Sequence, residues 1–171
     1  MAGGKALESL ILRSQGAACG AIYQKVPNGI QWVGGGKSFP CKSPVDFMGL
    51  LTDGTARSLV FDAKECKLVT RFPVGHKDHV SPHQLEQLIR YGRSGALAGL
   101  LVAATSTRRL YWLSWRYLVN APPSYPWDDP RMVDIGSAAM AIDWRKVATA
   151  DALPPRVSKV RPAGLAVGRV R

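Results

Sequence analysis

The pair Asp53-Gly54 constrains this chain more than any other feature, because it stands between two runs that read as β-strands, Asp46 to Leu51 and Ser58 to Lys64. An Asp-Gly pair supplies the backbone freedom a tight reversal needs, so Thr52-Asp53-Gly54-Thr55 predicts an antiparallel hairpin. Pairing symmetric about Gly54 sets Asp46 opposite Asp62, on one sheet face, with Cβ atoms about 4.5 to 5.5 Å apart. Side chains alternate along a strand, so Lys64 joins the same face. Two carboxylates that close repel each other, and without a partner one of them stays protonated. A divalent cation resolves the conflict. Carboxylate oxygens suit Mg²⁺ or Mn²⁺, and an adjacent lysine stabilises an attacking water or charge growing on a phosphate. The competing reading is a solvated hairpin face carrying a surface ion pair.

The flanks predict an α/β domain. Leu7, Leu10 and Ile11, followed by Ala17 and Ala18, form an apolar stripe at helical spacing that ends at Cys19-Gly20, with Glu8 at its edge as an exposed helix glutamate. Ala21 to Val26 and Ile30 to Val33 read as short strands around the turn Pro27-Asn28-Gly29. Gly34-Gly35-Gly36-Lys37-Ser38 ends like a phosphate-binding P-loop. However, Gln31 stands where that loop's first glycine belongs, and Phe39-Pro40 follows where a helix should start. A mobile glycine-rich loop offering Lys37 and Lys42 to phosphates is expected, with no nucleotide cofactor. Lys67 to Val74 should extend the second hairpin strand and leave it at Phe72-Pro73, with Thr70 and Arg71 facing a polyanionic ligand. Ser81 as N-cap and Pro82 at the first helical position start a helix running to about Ser94-Gly95. Leu85, Leu88 and Ile89 give it a buried face, and Gln84, Gln87 and Tyr91 line another. Leu97 to Thr105 reads as a central buried strand and Arg108 to Trp115 as the next. Trp112, Trp115, Trp127 and Trp144 read as core or interface residues, and the proline-rich Ala121 to Pro130 as an ordered loop suited to a dimer contact.

With 171 residues, a single domain over residues 1–153 is expected. Residues 154–171 hold Arg156, Lys159, Arg161, Arg169 and Arg171 without an acid, and read as a basic tail that contacts phosphates. The 23 Lys and Arg against 12 Asp and Glu, a net +11, call for a polyanionic partner. No run of about 18 apolar residues and no cleavable leader is evident, so no membrane partner and a cytoplasmic location are expected. Cys19, Cys41 and Cys66 lack paired spacing and read as reduced bystanders. His76, His79 and His83 are spaced for a helical metal site, which Pro82 argues against.

The ordered text Ser43-Pro44-Val45-Asp46-Phe47-Met48-Gly49, Phe61-Asp62-Ala63-Lys64-Glu65-Cys66-Lys67, Thr70-Arg71-Phe72-Pro73-Val74 and His83-Gln84 resembles the RecU-like Holliday junction resolvases of the PD-(D/E)xK nuclease superfamily. Asp62 stands where these proteins usually carry Glu, and their longer basic N-terminal arm has no counterpart here. The resemblance implies a central mixed β-sheet flanked by helices, the restriction-endonuclease-like nuclease core. It implies a Mg²⁺-dependent endodeoxyribonuclease, with Mn²⁺ as substitute, that acts as a homodimer and resolves four-way DNA junctions by paired nicks. Asp46 and Asp62 would hold the metal, helped by the Ala63 carbonyl and by Glu8, the match to a glutamate on the family's first helix. Lys64 would assist the attacking water. Gln84 matches the family's His-Gln pair and is preferred to Gln87, whose Gln-x-x-x-Tyr pattern resembles an exonuclease branch. Lys37, Lys42, Lys67, Thr70, Arg71, Arg156, Lys159 and Arg161 are the expected DNA contacts. Two other readings fit the same residues: a PD-(D/E)xK nuclease of ordinary duplex, and a non-catalytic basic DNA-binding protein.

Overall fold

A computed structural model describes residues 5–33, 37–41, 43–75 and 79–152. Helix α1 (Lys5–Arg13) leads through a 3-10 turn (Ala17–Cys19) into strands β1 (Ala21–Lys25), β2 (Gly29–Val33), β3 (Lys37–Cys41), β4 (Phe47–Leu51), β5 (Ser58–Cys66) and β6 (Arg71–Phe72). Helix α2 (Pro82–Arg93) follows, then β7 (Leu97–Ala104), β8 (Arg109–Ser114), a second 3-10 turn (Trp115–Tyr117), β9 (Tyr125–Pro126), β10 (Met132–Ser137) and α3 (Trp144–Ala152). The strands β1-β4-β5-β7-β8-β10 form one six-stranded sheet. Within it β5 and β7 run parallel, joined over the sheet face by α2, and the other neighbours are antiparallel. The α/β class with a mixed central sheet between helices, expected from the sequence, is the one observed.

The β4–β5 hairpin has the expected register. Phe47 pairs with Phe61, Met48 with Val60 and Gly49 with Leu59, all symmetric about Gly54. The Leu51 N–H donates to the Arg57 carbonyl at 2.9 Å, the Asp53 carboxylate accepts the Thr55 N–H at 2.9 Å, and Gly54 takes a φ of +87° that favours glycine. On its other side β4 pairs with β1 so closely that a Cβ at Gly49 would lie 2.1 Å from the Ile22 carbonyl oxygen. A side chain there would push the strands apart.

Strand β7 is buried along its whole length because helices cover both faces. Leu97, Leu101 and Ala103 face a core shared with α1 and α3, while Ala98, Leu100, Val102 and Ala104 face the core under α2. On the first face Phe61 stacks on Phe47 with ring centroids 4.9 Å apart, and Tyr23 and Trp144 pack against Phe61 at 5.4 and 4.7 Å. The Tyr23 hydroxyl donates to the Ile11 carbonyl at 2.6 Å, and burial pushes this phenol up to about 12. These contacts tie α1, β1 and α3 to the hairpin. At the C-terminus of α3, the Asp151 side chain, fully buried, pairs with Arg57 and Arg116 at 2.9 Å each, and the Ser114 hydroxyl donates to its other oxygen. Arg57 in turn donates to the Gly95 carbonyl at 2.9 Å, so one carboxylate links the hairpin turn, the α2–β7 connection and α3.

Some expectations need correction. The first helix ends at Arg13, and Ala17 and Ala18 are exposed in the 3-10 turn, because Gly16 takes a φ of +99° that breaks the helix. The strands around Pro27-Asn28-Gly29 do not pair with each other: β1 joins β4, and β2 joins β3. Lys37 and Ser38, expected in a mobile loop, are paired strand residues of β3. Residues 34–36 and Lys42 lie outside the described residues. Lys67 to Val74 does not continue β5. The chain leaves the sheet after Cys66, and β6 forms a separate ladder with β9. Strand β10 and helix α3 were not foreseen, whereas Ser81, Pro82 and the helix end at Ser94 fall as expected. Among the described residues no helix is long and apolar enough to cross a membrane. The tail 154–171 lies outside the described residues.

Candidate active site

Strand β5 sets the site because its even-numbered residues face α2. Asp62 sits in register with Leu100 and Lys64 with Val102, so both side chains emerge beside the N-terminus of α2. Asp62 is fully buried. Its Oδ1 accepts the side-chain N–H of Gln84 at 3.1 Å, and its Oδ2 lies 2.6 Å from Lys64 Nζ. That ion pair supplies charge but not a well-directed hydrogen bond, so Oδ2 remains an under-satisfied buried acceptor. Asp46 lies one residue beyond the last β4 pair, across from Asp62, where its Oδ2 accepts the Ala63 N–H at 3.0 Å and its carbonyl accepts the Val26 N–H at 2.8 Å. Burial above all, and then the carboxylate of Asp46, push the Asp62 carboxyl up to about 7, against the pull of Lys64. The repulsion from Asp46 is smaller than the pull of Lys64, and it is burial that leaves the Asp62 carboxyl raised.

Gln84 is oriented by the helix cap. Ser81 accepts the Gln84 backbone N–H at 3.3 Å, and the Gln84 Oε1 accepts the Ser81 N–H at 3.1 Å, a reciprocal capping box. The same Oε1 accepts from Lys64 Nζ at 3.3 Å. An ammonium only donates, so Oε1 must face Lys64 and the amide nitrogen must face Asp62. The sequence that starts the helix therefore also fixes the amide that faces the acids. Gln84 is the glutamine that reaches Asp62 and Lys64, and Gln87 lines neither cleft described next.

Two clefts meet at this cluster. The larger, about 710 Å³, is walled by Lys25, Asn28, Asp46, Lys64, His83 and Gln84. The smaller, about 370 Å³, includes Glu8, Lys25, Asp46, Ala63, Lys64 and Glu65. Asp46, Lys64 and Lys25 belong to both. Glu8 arrives with α1 from the opposite sheet face, where the Glu65 carboxylate accepts the Leu7 N–H at 3.3 Å, and its own carboxylate forms an ion pair with Lys25. Sequence reasoning missed Lys25. Its signal was the β1–β4 pairing, which sets Lys25 opposite Phe47 and so beside Asp46.

The expected DNA contacts stand apart from this centre. Lys67, Thr70 and Arg71 are exposed beyond the end of β5, and Arg71 lies 3.5 Å from the Ser124 hydroxyl. Lys37 is placed by its backbone in β3, whereas Lys42, Arg156, Lys159 and Arg161 lie outside the described residues. His76 lies outside them too. Among the described residues no group of three or more His, Cys, Asp or Glu is poised around a metal. Even so, the chemistry of the donors fits a hard divalent cation: two converging carboxylates, one of them with an under-satisfied buried oxygen and a raised pKa.

A mixed sheet carrying two carboxylates and a lysine on adjacent strands, with a helix-borne glutamine against them, defines a nuclease of the restriction-endonuclease-like class. Residues 4–125 match the family model described as Recombination protein U, RecU, and the chain belongs to this family of Holliday junction resolvases. The match includes every residue of the cluster. No curated protein matches the chain.

Proposed function

We propose that the chain is a divalent-metal-dependent endodeoxyribonuclease that resolves four-way junctions by paired, symmetric nicks as a homodimer. The observation that carries the metal dependence is the buried Asp62, held between Lys64 and Gln84 with Asp46 opposite and no directed donor for one oxygen. Asp46 and Asp62 would hold Mg²⁺ or Mn²⁺, with the Ala63 carbonyl and with Glu8, whose carboxylate is paired with Lys25. When bound, the cation supplies Lewis-acid polarisation of the phosphate and a water activated near neutral pH. Lys64, kept in place by the Gln84 oxygen, stabilises negative charge that grows on the phosphate as water attacks phosphorus and a P–O bond of the backbone breaks. Gln84 holds Asp62 ready as a ligand. The net +11 supports attraction to the DNA backbone.

A four-way junction has near-twofold symmetry, and two identical sites can nick opposed strands at matched positions. The test is a synthetic junction and a linear duplex of the same sequence, each strand labelled in turn. Paired cuts on opposed junction strands, with the duplex left intact, are the expected result. Equal cutting of the duplex would assign the chain to duplex cleavage.

A further inference from the structure

Past the end of β5 the chain turns two aliphatic side chains into solvent: Leu68 is 47 % and Val69 70 % exposed. Both flanks are polar or cationic, with Lys67 before them and Thr70 and Arg71 after, all exposed. The loop is tied at both ends. Trp127 Nε1 donates to the Leu68 carbonyl at 3.1 Å, and the Trp127 backbone N–H donates to the Thr70 carbonyl at 3.3 Å. The Trp127 ring itself stacks on Tyr111 at 5.0 Å, and the Cys66 carbonyl accepts the Thr105 N–H at 2.9 Å. An apolar tip is thus held outward by the half-buried Trp127 stacked on Tyr111, with a cation on either side.

We propose that Leu68 and Val69 form a wedge that enters an open step in the base stack of branched DNA, while Lys67 and Arg71 hold the phosphates beside it. This rests on the reading of the chain as a junction nuclease and adds an element that favours a branch over a duplex. The cations exclude a purely apolar partner, and the aliphatic tip is wasted on phosphates alone. DNA offers phosphates beside an exposed apolar base face where stacking is interrupted. Opening a stacked step inside a duplex costs a few kcal/mol, and in the open form of a four-way junction the helical arms end at the crossover without stacking on one another. Lys64 and Leu68 are separated by four residues, so their Cα atoms lie at most about 14 Å apart. That is at most about four base steps at 3.4 Å each, so the wedge keeps the branch close to the cut.

The test uses the full chain with Leu68→Ser and Val69→Ser together, and Val69→Ser alone. Both side chains are solvent-exposed, so equal thermal melts are expected. A junction and a linear duplex carry a fluorescent adenine analogue that brightens on unstacking, placed beside the crossover, and binding is read in EDTA so that nothing is cut. The wild type should brighten the junction probe. The double variant should abolish the brightening and lower the junction-over-duplex affinity ratio about tenfold, with the salt slope unchanged because the basic side chains on the phosphates are all retained, and the single variant should fall between. Unchanged brightening and affinity ratio in the double variant would overturn the wedge. A variant that sediments at half the wild-type mass would also overturn it, by assigning the loop to a chain–chain contact. If the wild type brightens the probe yet never cuts the junction with Mg²⁺, the nuclease reading fails and the wedge stands.

Discussion

Replacing Asp62 by Asn should stabilise the metal-free protein at alkaline pH. The Asp62 carboxyl is pushed from its ordinary 3.8 up to about 7 by burial and by Asp46, and Lys64 only partly offsets this. The unfolded chain therefore releases this proton near 3.8 and the folded chain near 7, so the folded state binds more protons across that window. Stability from this group falls as pH rises through the window and is level above it. Asn has the shape of the protonated acid and cannot ionise. Each pH unit of the window is about 1.4 kcal/mol, and about two units lie between pH 5 and 7, so the variant should gain about 3 kcal/mol on the wild type between about pH 5 and pH 8. The assay is urea unfolding in EDTA at both pH values. Carboxylates away from the Asp46–Asp62 pair titrate alike in both proteins and cancel in the difference. Added Mg²⁺ should recover much of the wild-type loss, since a cation bound to the folded state favours the ionised acid, and should do little for the variant. Parallel pH profiles in EDTA would be incompatible with this, because they would mean that Asp62 ionises as easily in the fold as out of it.

Lys64→Ala should lower single-turnover cleavage by on the order of 100-fold while barely changing affinity, since one of 23 basic residues adds little to phosphate attraction. Cleavage within a few-fold of wild type would leave Lys64 as a mere ion-pair partner. Asp151→Ala leaves the partly exposed Arg57 and Arg116 and the Ser114 hydroxyl without their shared partner and should cost about 1 to 3 kcal/mol, read as a lower urea midpoint. A loss under about 1 kcal/mol would mean that the clamp is solvated. Removing residues 154–171 should lower the slope of log affinity against log salt by roughly 0.9 for each phosphate the tail neutralises, and leave the cut positions unchanged. An unaltered slope would show that the tail does not touch DNA.

The hairpin was legible because its register depends on local chemistry alone: an Asp-Gly turn between two strands sets Asp46 across from Asp62 without reference to the rest of the chain. The α2 start was legible for the same reason, as Ser81, Pro82 and Gln84 lie within one turn of the helix start, and the resemblance then chose Gln84 over Gln87. What stayed hidden depends on pairing between distant segments. Lys25 reaches the site only because β1 docks on β4, and Glu8 approaches from the opposite sheet face because α1 packs on the core of Tyr23, Phe47 and Phe61. A periodic stripe shows that a helix packs, not which face of the sheet it covers. Lys67 to Val74 misled for a related reason: its residues suit a strand, but Trp127, far along the chain, draws the loop out of the sheet.

If Asp46, Asp62, Lys64 and Gln84 form a metal-dependent cutting centre, cleavage must need both the cation and the acids that hold it. Single-turnover cleavage of a four-way junction by the wild type and by Asp46→Asn, each with Mg²⁺ and with EDTA, alongside junction binding, measures this without intermediate steps. The expected result is cleavage by the wild type with Mg²⁺ only, and none by Asp46→Asn although it binds the junction at least as tightly. Wild-type cleavage that survives exhaustive chelation, or an Asp46→Asn protein that cuts at the normal rate, would contradict a metal-dependent centre at these residues.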